Sequence, residues 1–241
     1  MGPYLLADHV FVCVNDDHVV FLDLKDDRYW AVEASQTARL NGLVPGWPVQ
    51  PPDGAVAAGA DAEEEARQVA EALAEQGILS RSEISGKAAT PVRATPPARE
   101  LLSAQEYGST SPSTATLLRF VTASIAAKTA LRRGPFEKVV QRFIARKRAA
   151  VVHAAPLNFA RARELVESFF RLRVFFFSSK NECLFDSLAL LNFLARYRIY
   201  PDWVFGVQAR PFAAHCWVQQ DDIVFNDTIE HVSGYTPIMV A

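Results

Sequence analysis

The stretch "CLFDSLALLNFLARYRIYPDWVFGVQARPFAAHCWVQQDDIVFND", residues 183–227, decides the reading of the fold. It opens with a cysteine at the front of a strongly apolar helical pattern. Leu184, Leu188 and Leu191 lie on one helix face, and Ser179 or Asn181 is placed to cap the helix start. Cys183 then falls in the first turn, where the positive end of the helix dipole favours a thiolate. The stretch closes on a strand hairpin. In "AAHCWVQQDDIVFNDT" His215, Trp217 and Gln219 share one strand face, and Cys216 and Val218 share the other. A three-residue loop over Gln220–Asp222 would set Gln219 opposite Ile223, Trp217 opposite Phe225, and His215 opposite Asp227. In that register Asp227 accepts the Nδ1 proton of His215 and leaves Nε2 to serve a thiol. Asn226 faces away and is the alternative orienter of the ring. Cys216, on the opposite face, is expected in the core and dispensable for chemistry.

Each of these residues also has a plain structural reading. A cysteine before a leucine-rich helix is a small core residue, His215 a half-buried histidine, and Asp227 a strand-end acid. Their order, the helix mouth and the shared strand face together favour a Cys183, His215, Asp227 constellation for nucleophilic catalysis. A metal held by these three residues is a weaker reading, because no close ligand pair such as HxxxH accompanies them. No metal and no cofactor is expected.

Outward from this stretch, the chain has 241 residues, half of them hydrophobic, enough for one large packed domain or two modest ones. The net charge of −2 argues against a nucleic-acid partner. Its distribution is uneven. Residues 1–85 hold fifteen acidic and five basic residues, and the remainder twelve acidic and twenty basic. Three cysteines (Cys13, Cys183, Cys216) form no disulfide framework or zinc knuckle. No apolar stretch reaches membrane-spanning length and the opening has no basic start, so a cytoplasmic protein with no membrane partner is expected.

Strands are expected at His9–Asn15, His18–Leu24 and Tyr29–Glu33, followed by a helix near "ASQTARLNGLV" capped by Ser35. A second helix from Asp61, its cap, ends at Gly77 and presents Val69 and Leu73 on one face. The Pro/Ala/Thr-rich segment 86–114 reads as a linker between a domain at 1–85 and one at 115–241. Helices follow at "TATLLRFVTASIAAKTALRR", with Leu117, Val121 and Ile125 on one face, at "PFEKVVQRFIARKRAA" and at "NFARARELVESFFRLR". The fold class is α+β.

The 183–227 run resembles the leader-peptidase (B) proteins of lasso-peptide biosynthesis. The resemblance covers roughly residues 115–241 and rests on the cysteine followed by "SLAL", the "GV" strand, "FAAHCWV" and the closing "ND". It implies a transglutaminase-like, papain-related fold with Cys183 as nucleophile, His215 as general base and Asp227 as orienting acid. Two positions depart from the family pattern: Asp186 stands where a basic residue is expected, and Cys216 where a small residue is expected. The first 85 residues, through "VVFLDLKDDRYWAVEASQTARL" and "LAEQGIL", resemble the winged-helix-like peptide-recognition module of such pathways, with three strands plus helices. That resemblance implies a precursor leader bound as an added strand at Tyr29 and Trp30. The partners it implies are the precursor peptide and an ATP-dependent, asparagine-synthetase-like lasso cyclase. A noncatalytic peptide-binding scaffold and a thiol-dependent acyl transferase are the alternative readings.

Overall fold

The computed structural model describes residues 4–50, 60–102, 112–151, 157–176 and 183–241. The chain divides into two compact units. One comprises 1–93 with 207–213 and 236–239, the other 94–206, 214–235 and 240–241.

In the first unit β1 (Leu5–Ala7) precedes a meander of β2 (Val10–Asn15), β3 (His18–Asp23) and β4 (Arg28–Glu33). Asp16 and Asp27 sit in the two connecting turns with positive φ, a conformation that aspartate tolerates better than most residues. The central strand β3 is buried along almost its whole length, whereas β4 is mostly exposed. Such a gradient follows from position, since a central strand has neighbours on both edges and an outer strand on one. After β4 the chain turns into a short α1 (Ala34–Thr37) and a 3-10 turn at Ala38–Gly42. Ser35 lies inside α1, and Glu33 holds the cap position without a side-chain bond. The helix expected there is thus shorter, and Ser35 does not cap it. Helix α2 (Ala60–Glu75) stops before Gly77, whose φ of +75° suits a glycine terminator. The Asp61 side chain lies outside the described residues. The core gathers Leu6, Val10, Val12, Phe21, Leu40, Trp47, Ala70, Leu73 and Ile78.

Several short strands escaped the sequence reading, β1 among them. β5 (Leu79–Ser80) and β6 (Gly86–Lys87) flank β1 in a second three-stranded sheet, with Leu6 paired to Leu79 on one side and to Lys87 on the other. The segment read as a linker therefore begins in a paired strand. It also carries β7 (Arg99–Glu100), considered below. Two-residue strands bury backbone groups rather than a periodic side-chain face, so they leave no pattern to read.

The second unit stacks α3 (Thr114–Arg133), α4 (Phe136–Val151), α5 (Phe159–Phe176) and α6 (Cys183–Ala195). Ser113 caps α3 by accepting from the Thr116 N–H. The face of α3 differs from expectation: Phe120, Ala123 and Ala127 are buried, while Leu117 and Ile125 are exposed. Alanines let α3 lie close on α6, and Phe120 then meets Phe169 of α5 and Phe193 of α6 at ring distances of 5.2 and 6.5 Å. Helix α6 is buried from Asp186 to Leu191, an apolar rod rather than a one-faced helix. A five-stranded sheet follows, in the order β11-β8-β9-β10-β7, from β8 (Asp202–Gln208), β9 (Ala213–Gln220), β10 (Ile223–Val224) and β11 (Thr236–Val240), with α7 (Ile229–Val232) before the last strand. Among the described residues no helix is long and apolar enough to cross a membrane.

If the Phe120 face is the buried one, Phe120→Ala should lower unfolding free energy by about 3–5 kcal/mol. Ile125→Ala should change it by less than about 0.5 kcal/mol. Urea midpoints of the two variants check this, and equal losses would contradict the packing described.

Candidate active site

The apolar length of α6 holds its first residue, Cys183, at a half-buried helix mouth. The proposed capping residues Ser179 and Asn181 lie outside the described residues. Asp186 and Ser187 follow one turn later on the same side of the helix, and both are buried.

β9 presents His215 and Trp217 on one face, with the rings stacked 6.0 Å apart. The hairpin register is shifted by one from expectation: Ile223 pairs with Gln220 and Val224 with Gln219. The turn has two residues, Asp221 and Asp222. Asp221 has a φ of 53°, as tight hairpin turns require. The Arg99 guanidinium grips both oxygens of Asp222 at 3.0 and 2.7 Å. Beside it, β7 pairs in parallel with β10.

In this register a continued strand would not set Asp227 opposite His215. The strand instead ends after Val224. Phe225 still donates its N–H to the Val218 carbonyl, but the Val218 N–H donates to the Asn226 side-chain oxygen at 2.7 Å. Asn226 also donates to the Ser187 hydroxyl at 3.1 Å. Its side chain substitutes for a ladder bond and bends the chain, so it anchors the bend and does not orient the imidazole. The bend delivers Asp227 to His215 at 2.5 Å.

The contact also differs in its atom. The Nε2–H of His215, not Nδ1–H, donates to Asp227 Oδ2, which leaves Nδ1 as the ring nitrogen available to a thiol. Asp227 has further donors in the Thr228 N–H at 2.8 Å and the Nδ1–H of His231 at 2.9 Å. Burial raises the Asp227 carboxyl's affinity for a proton, yet these hydrogen bonds, led by that of His215, hold its pKa below the ordinary value. His231 was not foreseen. Its only sequence signal is a four-residue spacing from Asp227 after a capping threonine, Thr228.

Cys183, His215 and Asp227 line one cleft of about 550 Å3, together with Arg173, Cys216 and His231. The Cys183 thiol is pulled down to about 4. The leading cause is hydrogen bonding to the Cys216 thiol; burial opposes it, and His215 adds to the lowering. Burial works against the His215 imidazolium, but bonds to Asp227 and then Cys183 prevail and raise it to about 9. Between those values the favoured state of the pair is thiolate and imidazolium. Cys216 itself is pushed well up by burial. Cys216 is the core residue expected, and it also lines the cleft beside Cys183. Its carbonyl accepts from the Ser187 hydroxyl at 3.2 Å, which ties β9 to α6.

Asp186, the other departure, is 94% buried at its side chain and pairs with Arg173 at 3.1 Å. Burial raises its carboxyl to about 6 against the pull of that guanidinium. The positive charge missing from position 186 is thus present in the cleft, supplied from α5. Gly206 of β8 lies close behind two of the rings that pack on His215. A Cβ there would stand 2.8 Å from Tyr235 and 2.9 Å from the Trp217 ring, and both of those rings pack on His215.

His215, Asp227 and His231 bring ligand atoms within 4.8 Å of one another and could hold a metal ion. The atoms that face one another, His215 Nε2, His231 Nδ1 and the two Asp227 oxygens, are joined by hydrogen bonds. Tyr29 and Trp30, the expected peptide contacts, lie on β4 in the first unit and are half-buried and exposed respectively.

Residues 121–240 match the transglutaminase-like superfamily. This stretch is a transglutaminase-like domain. No curated protein and no solved structure matches the chain. The domain spans α3 to β11 and contains the whole cleft, and it fits cysteine-protease-like or acyl-transfer chemistry.

With the thiol near 4 and the imidazole near 9, iodoacetamide should alkylate Cys183 rapidly at pH 5–6, where an ordinary thiol is almost inert. Cys216→Ala should shift that reactivity to higher pH. Peptide mass mapping against pH reads both, and an ordinary thiol profile in the unmodified protein would refute the ion pair.

Proposed function

We propose that the chain is a cytoplasmic cysteine peptidase that binds and removes the leader of a lasso-peptide precursor. The observation that carries this reading is the hydrogen-bonded His215–Asp227 pair in one cleft with a Cys183 thiol of lowered pKa. In this mechanism the Cys183 thiolate attacks the carbonyl of the last leader residue. The His215 imidazolium, formed in the resting pair, gives its proton to the departing amine. A thioester remains, and His215 takes a proton from the water that hydrolyses it. Asp227 keeps the ring in orientation and stabilises its charge throughout.

Residues 1–85 act as a winged-helix-like recognition domain, 86–114 connect it, and 115–241 cut. The leader adds as a strand to the outer edge of β4 at Tyr29 and Trp30. Supporting this is a groove of about 270 Å3 in the same unit, between the turn after β4 and α2, lined by Gln36, Arg39, Leu40, Glu65 and Val69. Backbone pairing supplies affinity there, and the groove selects side chains. Capture raises the local concentration of the scissile bond at Cys183. The amine exposed on the core peptide is the nucleophile that an ATP-dependent, asparagine-synthetase-like cyclase would need to close a macrolactam. Thiol hydrolysis itself needs no cofactor.

Incubating precursor and cyclase with full-length variants, followed by mass spectrometry, tests the proposal. Cys183→Ala should abolish leader release and retain leader binding. Asp227→Asn should remain folded and lose rate by about 10⁴-fold, the scale seen when a triad carboxylate becomes an amide. Ala31→Pro, at a β4 position whose N–H points away from β3 in this register, should weaken leader binding and leave iodoacetamide reactivity of Cys183 intact. Leader release by Cys183→Ala at the normal rate would remove the mechanism.

A further inference from the structure

The carboxylate of Asp227 serves two imidazoles. His215 donates to Oδ2 at 2.5 Å, while His231 Nδ1 stands 2.9 Å from Oδ1 and 3.1 Å from Oδ2. The ring centres of the two histidines are 4.6 Å apart, tilted by 52°. Tyr235 touches both, with its ring 5.2 Å from His215 and edge-on to His231 at 5.5 Å. His231 is fixed from its backbone outward. Its N–H donates to the Thr228 hydroxyl, the next residue Val232 is buried in the core, and the start of α7 is held by Glu100 of β7 accepting from the Ile229 N–H at 2.8 Å. A side chain half exposed to solvent would ordinarily sample several rotamers. Here three anchors and a ring contact select the one that reaches Asp227.

We infer that His231 is a positioning residue: it holds the Asp227 carboxylate in the orientation that keeps the His215 imidazolium aimed at Cys183. This rests on the reading of Cys183, His215 and Asp227 as the reacting group. The argument is geometric. Asp227 follows a bend rather than a ladder strand, so no regular backbone pairing fixes its side chain. The Thr228 N–H restrains Oδ1 from one direction only. His231 approaches both oxygens and closes the carboxylate's remaining rotation about its Cβ–Cγ bond. Without that donor the carboxylate is free to turn from Nε2 of His215, and the imidazolium loses its counter-charge. The charged and titratable groups around the pair are Cys183 and Asp186 on α6, Arg173 on α5, Cys216 on β9, Tyr235, and His231 itself on α7. Among these described groups, only His215 and His231 hydrogen-bond to Asp227.

The test uses full-length protein and two substitutions. His231→Phe keeps the ring and removes the donor. His231→Asn places an amide nitrogen near the position of Nδ1 and restores it. The probe is iodoacetate, an anion that reacts fastest while the thiolate sits beside an imidazolium and slows once that imidazolium loses its proton. No peptide substrate is involved, so the outcome is independent of whether the substrate is a lasso precursor. In the unmodified protein the rate should fall near pH 9. In His231→Phe the fall should move to lower pH. With the precursor and cyclase, its kcat should drop about tenfold to a hundredfold at unchanged KM, the worth of one hydrogen bond to a charged group. His231→Asn should recover most of both. A His231→Phe profile that overlays the unmodified one, or an asparagine variant that behaves as the phenylalanine variant does, overturns the assignment. An unmodified Cys183 that reacts as an ordinary thiol overturns it together with the reading beneath it. Failure of precursor cleavage alone, with the iodoacetate shifts intact, leaves the positioning role standing and removes only the substrate.

Discussion

A carboxylate set 2.5 Å from an imidazole nitrogen makes that imidazole retain its proton, and everything else in the cleft follows from His215 being a cation. A cation beside a thiol at a helix mouth draws the sulfur toward the thiolate. The thiolate gains a further donor in the Cys216 thiol, a group made unwilling to ionise by its own burial. The two cysteines have opposite tendencies because their surroundings differ: one is half-buried beside a cation, and the other is enclosed on the inner face of β9.

Several separate pieces of chain serve that single hydrogen bond. The hairpin's backbone bonding ends at the Phe225 N–H on the Val218 carbonyl, and the Asn226 side chain takes the bond the backbone then gives up. The same side chain donates to Ser187, which in turn donates to the Cys216 carbonyl, so α6, β9 and the bend are joined through three polar groups. Arg99 and Glu100 hold the turn and the start of α7. Gly206 leaves room for Trp217 and Tyr235 to pack on the histidine ring. Polar networks of this kind are costly when half satisfied, and the members named here have their partners.

Much of this was legible in the sequence. The β-branched and aromatic runs "HVFVCVN" and "HVVFLDL" about an Asp-Asp turn, and the leucine-rich run after Cys183, follow from residue propensity and turn chemistry. The three candidate residues that line the cleft could be picked out because a cysteine, a histidine and an aspartate occur in that order at interpretable positions. The geometry that joins His215 to Asp227 was not legible. A loop one residue longer predicts the same contact for a different reason, and sequence alone does not choose between a continued strand and a side-chain-capped bend. The nitrogen facing Asp227 depends on that bend as well. Arg173 and His231 lie ten residues before Cys183 and four after Asp227, where ordinary helix composition hides them. The strands β6 and β7 inside a Pro/Ala-rich segment carry no periodicity, since their contribution is backbone hydrogen bonding. The face of α3 misled because alanine packing against α6 outweighed the leucine and isoleucine spacing.

The central claim is that Cys183 becomes covalently attached to the leader. Acid quenching of full-length protein mixed with precursor and cyclase, followed by intact-protein mass spectrometry, measures this directly. The account predicts a transient species heavier by the leader less one water, mapped to Cys183 and discharged by hydroxylamine. Leader release at full rate with no adduct at any quench time, under conditions that trap thioesters on other cysteine peptidases, would contradict it.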